Sequence, residues 1–307
     1  MAISSVTNTS ALQGINNLNK TSNKLNSILE KLASGNRINS AKDDAAGLLI
    51  SDRLSSQLSG LYQANRNAND GIALFQVSEG ALQETTSSLE RMRTLAVQAS
   101  NGTLSDSDRQ ALQTEFDELA ASIDFTAENT TYNGQAVLNG ASSGDGDVTL
   151  HVGPNSGDTL TTVLDDGFRM QDMIRVAQNG DAAGNSYGGS FDANVQSTTD
   201  AAGNTRQTLS ISSQADAESA ISALDSMMSY VDSSRAEMGA VQNRLESTIS
   251  NQSNIAVNIA DAQSRIRDTD YAEEVSNMVT QSILEKATVA MQSQANAKPK
   301  MALALLQ

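Results

Sequence analysis

The chain has 307 residues, 20 Lys and Arg against 36 Asp and Glu, and a formal charge of -16, with no Cys, no Trp, one His and two Pro. These counts exclude disulfides, thiolate catalysis and Cys-ligated metals, and the acidic balance argues against nucleic acid and anionic membranes as partners. No stretch approaches 18 apolar residues, so no membrane span is expected.

The first twenty residues lack the basic n-region and continuous apolar run of a cleaved signal peptide. From Leu12 to Leu32, apolar residues recur at Leu12, Ile15, Leu18, Leu25, Ile28, Leu29 and Leu32. This is helical spacing with a narrow face. Gly35-Asn36 should end that helix, because Gly takes the left-handed conformation cheaply. Ser40 followed by Asp43 reads as a capping box that restarts one. The next helix should run towards Ser100, with Leu48, Leu54, Leu61, Phe75, Leu82, Leu89, Met92 and Leu95 among its apolar positions, and Asn101-Gly102 should break it.

Ser105 with Asp108 predicts the cap of a third helix carrying Leu112, Phe116, Leu119 and Ile123. Residues 129–140 read as loop and turn. DVTLHVG and DTLTTVL on either side of PNSG predict a β-hairpin, since both alternate with period two. Residues 176–206, rich in Gly, Asp, Asn and Thr, read as an irregular insert that buries little apolar area. Order is expected to return near Asp216.

From there, positions 221, 224, 228, 231, 235, 238, 242, 245, 249, 252, 256 and 259 alternate in steps of three and four, the spacing of a coiled-coil seam. Arg235, Gln242 and Gln252 interrupt its apolar character. Asp270 and Glu273 signal a last helix with Val275, Met278, Val279 and Ile283 on one face. Pro299 should interrupt it before an apolar tail containing Leu303, Leu305 and Leu306. The terminal helices are too thinly apolar to stand alone in water, and pairing them with each other would bury both stripes.

No catalytic, metal or cofactor site can be built from these residues. His151 is the only His, so neither a His-based metal site nor a nucleophile–base pair has the partners it needs. DGDVTLHVGPNSGD lacks the ligand spacing of a Ca²⁺ loop. Asp43-Asp44 and Asp268 with Asp270 lie where helices should start, which suits capping. Arg37, Lys42, Asp43 and Asp44 leave two readings open: charge pairing between neighbouring copies, or capping plus solvation.

The segment MAISSVTNTSALQGINNLNKTSNKLNSILEKLASGNRINSAKDDAAGLLISDRL resembles the N-terminal end of bacterial flagellin, and RLESTISNQSNIAVNIADAQSRIRDTDYAEEVSNMV resembles the matching C-terminal region. TLHVGPNSGDTL resembles the family's hairpin. The likeness covers about 1–175 and 208–307. It implies a mainly α fold of long antiparallel helices in a coiled-coil-like bundle, with paired terminal helices, a β-hairpin and a small central insert. It further implies an inner domain of 1–40 with 265–307, disordered in the monomer, a wall domain of 41–175 with 208–264, and a variable surface insert at 176–207.

In function, the resemblance implies a non-enzymatic extracellular subunit that polymerises helically into the hollow flagellar filament. Export would be unfolded, through the flagellar type III apparatus. The implied partners are many identical subunits, an export chaperone at the C-terminal region, and the filament cap and junction proteins. No cofactor is implied. Filament-interface or inner-domain packing residues would be Leu18, Leu25, Leu32, Val275, Val279, Ile283, Leu303, Leu305 and Leu306. The inter-domain junction would hold Arg37, Lys42, Asp43 and Asp44. A vertebrate innate immune receptor would read Arg91, Leu95 and Glu115, found in ERMRTLAVQ and QTEFDEL. A hook–filament junction protein, which resembles flagellin at both ends, is the alternative, and a secreted coiled-coil adhesin is a more distant one.

Overall fold

The computed structural model describes residues 7–140, 147–163, 167–180, 195–199 and 205–304. Among them are six helices: α1 (Thr9–Ser34), α2 (Ala45–Ala99), α3 (Asp106–Asn129), α4 (Met170–Asn179), α5 (Gln214–Arg267) and α6 (Tyr271–Ala304). The strands form three separate antiparallel pairs. These are β1 (Thr131–Tyr132) with β2 (Gln135–Ala136), β3 (Asp147–His151) with β4 (Thr159–Val163), and β5 (Val195–Thr199) with β6 (Thr205–Leu209). The fold is mainly α. The chain divides into two compact units, residues 1–59 with 255–307 and residues 60–254, and both α2 and α5 pass from one to the other.

In the 60–254 unit, α2 buries Leu95 at the edge of a seam formed by Leu61, Ala64, Ala68, Gly71, Phe75, Ser78, Leu82, Thr85, Leu89, Met92, Ala96 and Ala99. The seam positions alternate strictly in steps of three and four, the period of a left-handed coiled coil. Ser78 and Thr85 are tolerated in that seam because each hydroxyl donates to its own helix, to Leu74 O (3.0 Å) and Ala81 O (3.2 Å). Against this seam lie Phe116 and Ile123 of α3 and Leu224, Met227, Val231, Met238 and Leu245 of α5, all in one core.

The seam of α5 differs in part from the sequence expectation. Leu224, Val231, Met238, Leu245 and Gln252 are buried as expected. In the first turns, however, Ala220 and Met227 are buried while Ile221 and Met228 flank the core half-exposed. Two adjacent apolar residues satisfy the same spacing rule, and only the rotation of the helix against α2 and α3 chooses between them.

Local signals place most helix ends. Gly35 takes φ 71° and its N–H donates to Lys31 O, ending α1. Ser105 and Asp108 form the expected capping box of α3. The start of α2 is corrected. Asp43 accepts from the N–H groups of Asn39 and Ser40 and so closes a turn, whereas Asp44 Oδ1 accepts from Ala46 N and Gly47 N and is the cap. At the other end of the chain, α6 runs through Pro299 instead of stopping before it. The ring forgoes one helical N–H, and the Ala-, Met- and Lys-rich flanks are strong helix formers.

The region after α3 is more ordered than its composition suggests. Residues 129–140 contain the β1–β2 hairpin, turned by Asn133 (φ 51°) and Gly134 (φ 79°), the two positive angles that a tight hairpin turn needs. Helix α4 was not foreseen. It buries Met170, Met173, Ile174 and Val176, and its first N–H, Met170 N, donates to the buried Asp124 Oδ1 of α3 at 2.8 Å. Phe168 stacks on Tyr230 with ring centroids 5.2 Å apart.

Order also returns before Asp216, because Leu209 and Ile211 are fully buried. Gln113 of α3 holds that stretch. Its amide donates to Leu209 O (3.1 Å) and accepts from Ile211 N (2.6 Å), as a neighbouring strand would. Within the expected 176–207 insert, residues 181–194 and 200–204 lie outside the described residues.

The β3–β4 hairpin is present in the expected place, with His151 opposite Thr159. It lies on α2 and α5 through polar contacts: Asn67 Nδ2 donates to His151 O at 2.9 Å, and Gln252 Nε2 donates to Val152 O. Gly60 and Gly71 leave the room that Pro154 and Leu150 occupy.

Candidate assembly surface

The surface of interest belongs to the unit of residues 1–59 and 255–307. Its two interhelical breaks are paired backbone to backbone. Arg37 N donates to Arg267 O (2.6 Å), Thr269 N donates to Gly35 O (3.0 Å), and Asn36 and Asp268 form an antiparallel bridge. Arg37 Nη2 adds a bond to Ile266 O at 2.5 Å, which supplies one of the last carbonyls of α5 with a cationic donor. Asp270 Oδ1 caps α6 through Ala272 N and Glu273 N. This clasp sets the end of α1 beside the start of α6.

From it the two helices run antiparallel. Lys31 Nζ lies 3.2 Å from Glu274 Oε1, Gly14 sits against Gln292, and Asn8 Nδ2 donates to Ala295 O at 2.8 Å. On α1 the less exposed positions include a row of Ala11, Gly14, Leu18, Thr21, Leu25, Ile28 and Leu32, with Ser22, Ser27 and Lys31 beside it. On α6 they include a row of Glu274, Met278, Gln281, Glu285, Thr288, Gln292 and Ala295, with Ser282 beside it. Both rows step by three and four, as an antiparallel coiled-coil seam does. The α6 side of that seam is largely polar.

Most of the large apolar residues of α6 therefore remain in solvent. Val275, Val279 and Ile283 are 43, 48 and 61% exposed, and Met291 is 70% exposed, with Leu284 and Val289 also open. The expectation that pairing would bury both terminal stripes is met by only part of the α1 stripe and not by that of α6. Leu18, Leu25 and Leu32 are half-buried against α6, whereas Val275, Val279 and Ile283 are uncovered. Leu12, Ile15 and Leu29 of α1 are exposed as well. So are Leu49 and Ile50 at the start of α2, and Val257 near the end of α5. Leu303 lies on the described helical backbone of α6, and Leu305 and Leu306 lie outside the described residues.

Of the four residues expected at an inter-domain junction, all of which lie inside the 1–59 and 255–307 unit, three have partners within the chain. Arg37 caps α5, Asp43 closes the Asn39–Asp43 turn and Asp44 caps α2. The backbone N–H groups of Asn39 and Ser40 hold the Asp43 carboxyl below its ordinary value. Lys42 is exposed.

In the other unit, Arg91 and Glu115 form an exposed ion pair between α2 and α3, with N–O distances of 2.5 and 2.9 Å. Leu95 is one turn from Arg91 but is 1% exposed and belongs to the core. A spacing of four does not place both on the open face here, because Leu95 lies at the edge of the buried seam and Arg91 lies just outside it.

The exposed apolar residues carried a sequence signal, their helical spacing, and Val275, Val279 and Ile283 were expected in interface or inner-domain packing on that ground. Nothing in that spacing said which way they would point.

Two family models match the chain: the bacterial flagellin N-terminal helical region over residues 6–143 and the C-terminal helical region over residues 221–306. Flagellin A of Vibrio anguillarum is 36% identical over 382 aligned positions that take in the whole of both chains. The chain belongs to the bacterial flagellin family. Polar flagellin C of Vibrio parahaemolyticus is 34% identical over 387 positions, again with both chains covered in full. Among solved flagellins, the crystal structure of Bacillus cereus flagellin is 26% identical, covers 61% of this chain and 88% of its own, and superposes with a TM-score of 0.45.

Flagellin is a structural protein and not an enzyme, and it builds the extracellular flagellar filament. The family matches do not favour the junction-protein alternative. No described helix of this flagellin is long and apolar enough to cross a membrane, and no group of three or more potential metal ligands occurs among the described residues.

Proposed function

We propose that this flagellin joins its neighbours in the filament through the outward apolar surfaces of the 1–59 and 255–307 unit. The observation that carries the reading is the rotation of α6, which turns polar residues towards α1 and leaves Val275, Val279 and Ile283 uncovered. An apolar helix face of that extent calls for a partner, and α1 already occupies the other side.

A second copy fits that role. The open residues of α6 and those of Leu49, Ile50 and Val257 sit on different helices, so a copy offers unlike surfaces to its neighbours. Unlike surfaces give head-to-tail contacts, and such contacts propagate into open helical polymers unless the rotation closes a ring. Leu18, Leu25 and Leu32 then serve mainly to pair α1 with α6 inside a subunit. Arg37, Asp43 and Asp44 shape the bends from which the surface projects.

The finer partners follow from the same reading. Before assembly, the exposed face of α6 is the surface that an export chaperone would cover during passage through the type III apparatus. Cap and junction proteins would meet it at the two ends of the polymer. An innate immune receptor would read the exposed Arg91–Glu115 pair, with Leu95 acting beneath it as packing support.

Electron microscopy of the purified full-length chain with short filament seeds tests the assembly reading. Long uniform tubes that require residues 290–307 support it. Monomers that stay monomeric, or that only decorate pre-existing ends, would move the chain to the junction role.

A further inference from the structure

The chain holds four Asn-Gly pairs, at Asn101, Asn133, Asn139 and Asn179. This dipeptide is chemically labile. Because Gly has no Cβ, its backbone nitrogen can reach the side-chain carbonyl carbon of the Asn and close a five-membered imide. The reaction needs a nitrogen free of hydrogen bonds, an Asn main chain able to rotate, and water. The folded chain meets these conditions unequally.

Three of the pairs are restrained. Gly180 N donates to Val176 O at 2.7 Å, so the nitrogen after Asn179 is engaged. Asn133 and Gly134 are fixed at φ 51° and 79° between the paired strands β1 and β2. Gly140 is packed closely against Gly167, Asn139 is half-buried, and Leu138 O just before it accepts from Phe168 N.

Asn101–Gly102 differs. Residues 101–103 are exposed in the connection between α2 and α3, and Gly102 N makes no hydrogen bond among the described residues. The Asn101 side chain folds back over the Gly102 peptide, since its Oδ1 accepts from Thr103 N at 3.2 Å. That donor faces the oxygen on which negative charge builds when Gly102 N attacks. The Asn101 main-chain O accepts from Arg109 Nη2 (3.1 Å) and Leu104 N (3.3 Å). Arg109 is nearly buried and is anchored further on Ala99 O at 3.0 Å.

We propose that Asn101–Gly102 is a self-modifying site that converts to isoaspartate, with Arg109 directing the product. Gly102 N loses its proton to solvent and bonds to Asn101 Cγ. The Cγ–Nδ2 bond breaks and ammonia leaves. Water then adds to one of the two imide carbonyls. The former main-chain carbonyl faces the Arg109 guanidinium, which polarises it and pairs with the carboxylate that forms there. Opening at that carbon breaks its bond to Gly102 N, and the chain continues through Cβ and Cγ. The net reaction consumes one water and releases one ammonia. The α2–α3 connection gains one main-chain carbon and one negative charge, so each subunit of the extracellular filament carries a mark that accumulates with age.

The test is peptide mapping by mass spectrometry of the folded full-length chain held at mildly alkaline pH, beside the same chain in urea, with isoaspartate and aspartate products resolved. In urea the four pairs should react at similar rates. In the folded chain Asn101 should react about tenfold faster than each of the others, the equivalent of one net backbone hydrogen bond. Its isoaspartate-to-aspartate ratio should also exceed the ratio in urea. Gly102→Ala fits the fold, because its Cβ would meet only Gln214 Oε1 at 3.7 Å and no positive φ is required there; it should slow the reaction at Asn101 several-fold.

Equal rates for the four pairs in the folded chain overturn the proposal, as does Gly102→Ala reacting at the wild-type rate. A product ratio at Asn101 that is the same folded and in urea overturns the role given to Arg109.

Discussion

Replacing Ile283 with Gln separates assembly from folding. Ile283 is 61% exposed on α6, and nothing in the folded subunit depends on its covering. Gln forms helix at least as well as Ile, so the unfolding midpoint of the monomer should move by no more than about 1–2 °C, as expected for a surface change of a few tenths of a kcal/mol. In the polymer the lost term is larger. Fully burying such a side chain contributes roughly 1.5–3 kcal/mol. With about 60% of it still open in the subunit, roughly 1–2 kcal/mol of that is realised only on assembly. At about 1.4 kcal/mol per factor of ten, the critical concentration should rise about 5- to 30-fold. Adding Val279→Gln, one turn away on the same open surface, should raise it further. The assay is the concentration of unpolymerised protein left after seeded growth, read beside the thermal melt of the monomer. If the double variant polymerises at the wild-type concentration, the open face of α6 does not contact a neighbour. If its monomer melts many degrees lower, the residues pack inside the subunit and the rotation assigned to α6 is wrong.

The core and its anchors give further outcomes. Arg109 is nearly buried and donates to Ala99 O and Asn101 O, which close the end of α2; Arg109→Ala should cost about 2–4 kcal/mol, seen as a lower urea midpoint of the whole chain. Gln113→Met keeps the volume but removes the bonds to Leu209 O and Ile211 N; it should destabilise by about 1–3 kcal/mol and speed amide exchange at Ile211 more than at Leu82. The Ser105 hydroxyl, followed by the Ser105 N–H, holds the Asp108 carboxyl below its ordinary value. A depressed folded value means that the cap stabilises fully above the unfolded value near 3.8 and loses its effect as pH falls through the folded one. Asp108→Asn should therefore lower the melting temperature at pH 7 and leave it unchanged well below pH 3. Reversing Lys31 and Glu274 singly should weaken the pairing of α1 with α6, and K31E/E274K should restore it, read as amide protection at Ile28.

Much of this architecture is legible along the chain because its rules are local. Gly35, the Ser105–Asp108 box and Asp270 mark helix ends through bonds made within a few residues. The three-and-four spacing of α2 and α5 survives because every buried layer recurs on one helix. What escaped depends on partners far away in sequence. Helix α4 is short, and its N-terminus is set by Asp124, 46 residues earlier. The stretch before α5 is ordered by Gln113, which lies 96 residues from Leu209. No local pattern announces either bond.

The terminal helices show the division most clearly. The sequence by itself determined that both are helices, that each carries an apolar stripe, and that they would pair. It also determined the family, through long matching segments at both ends. Only the tertiary structure decided which stripe the pair covers. The backbone clasp between Gly35–Arg37 and Arg267–Thr269 sets the offset of α1 and α6, and the contacts of Glu274, Gln292 and Ala295 with α1 set the rotation of α6. Hydrophobic spacing records that a face must be buried and carries no label for what buries it. In a subunit whose partners are further copies, that face can be left open by its own fold.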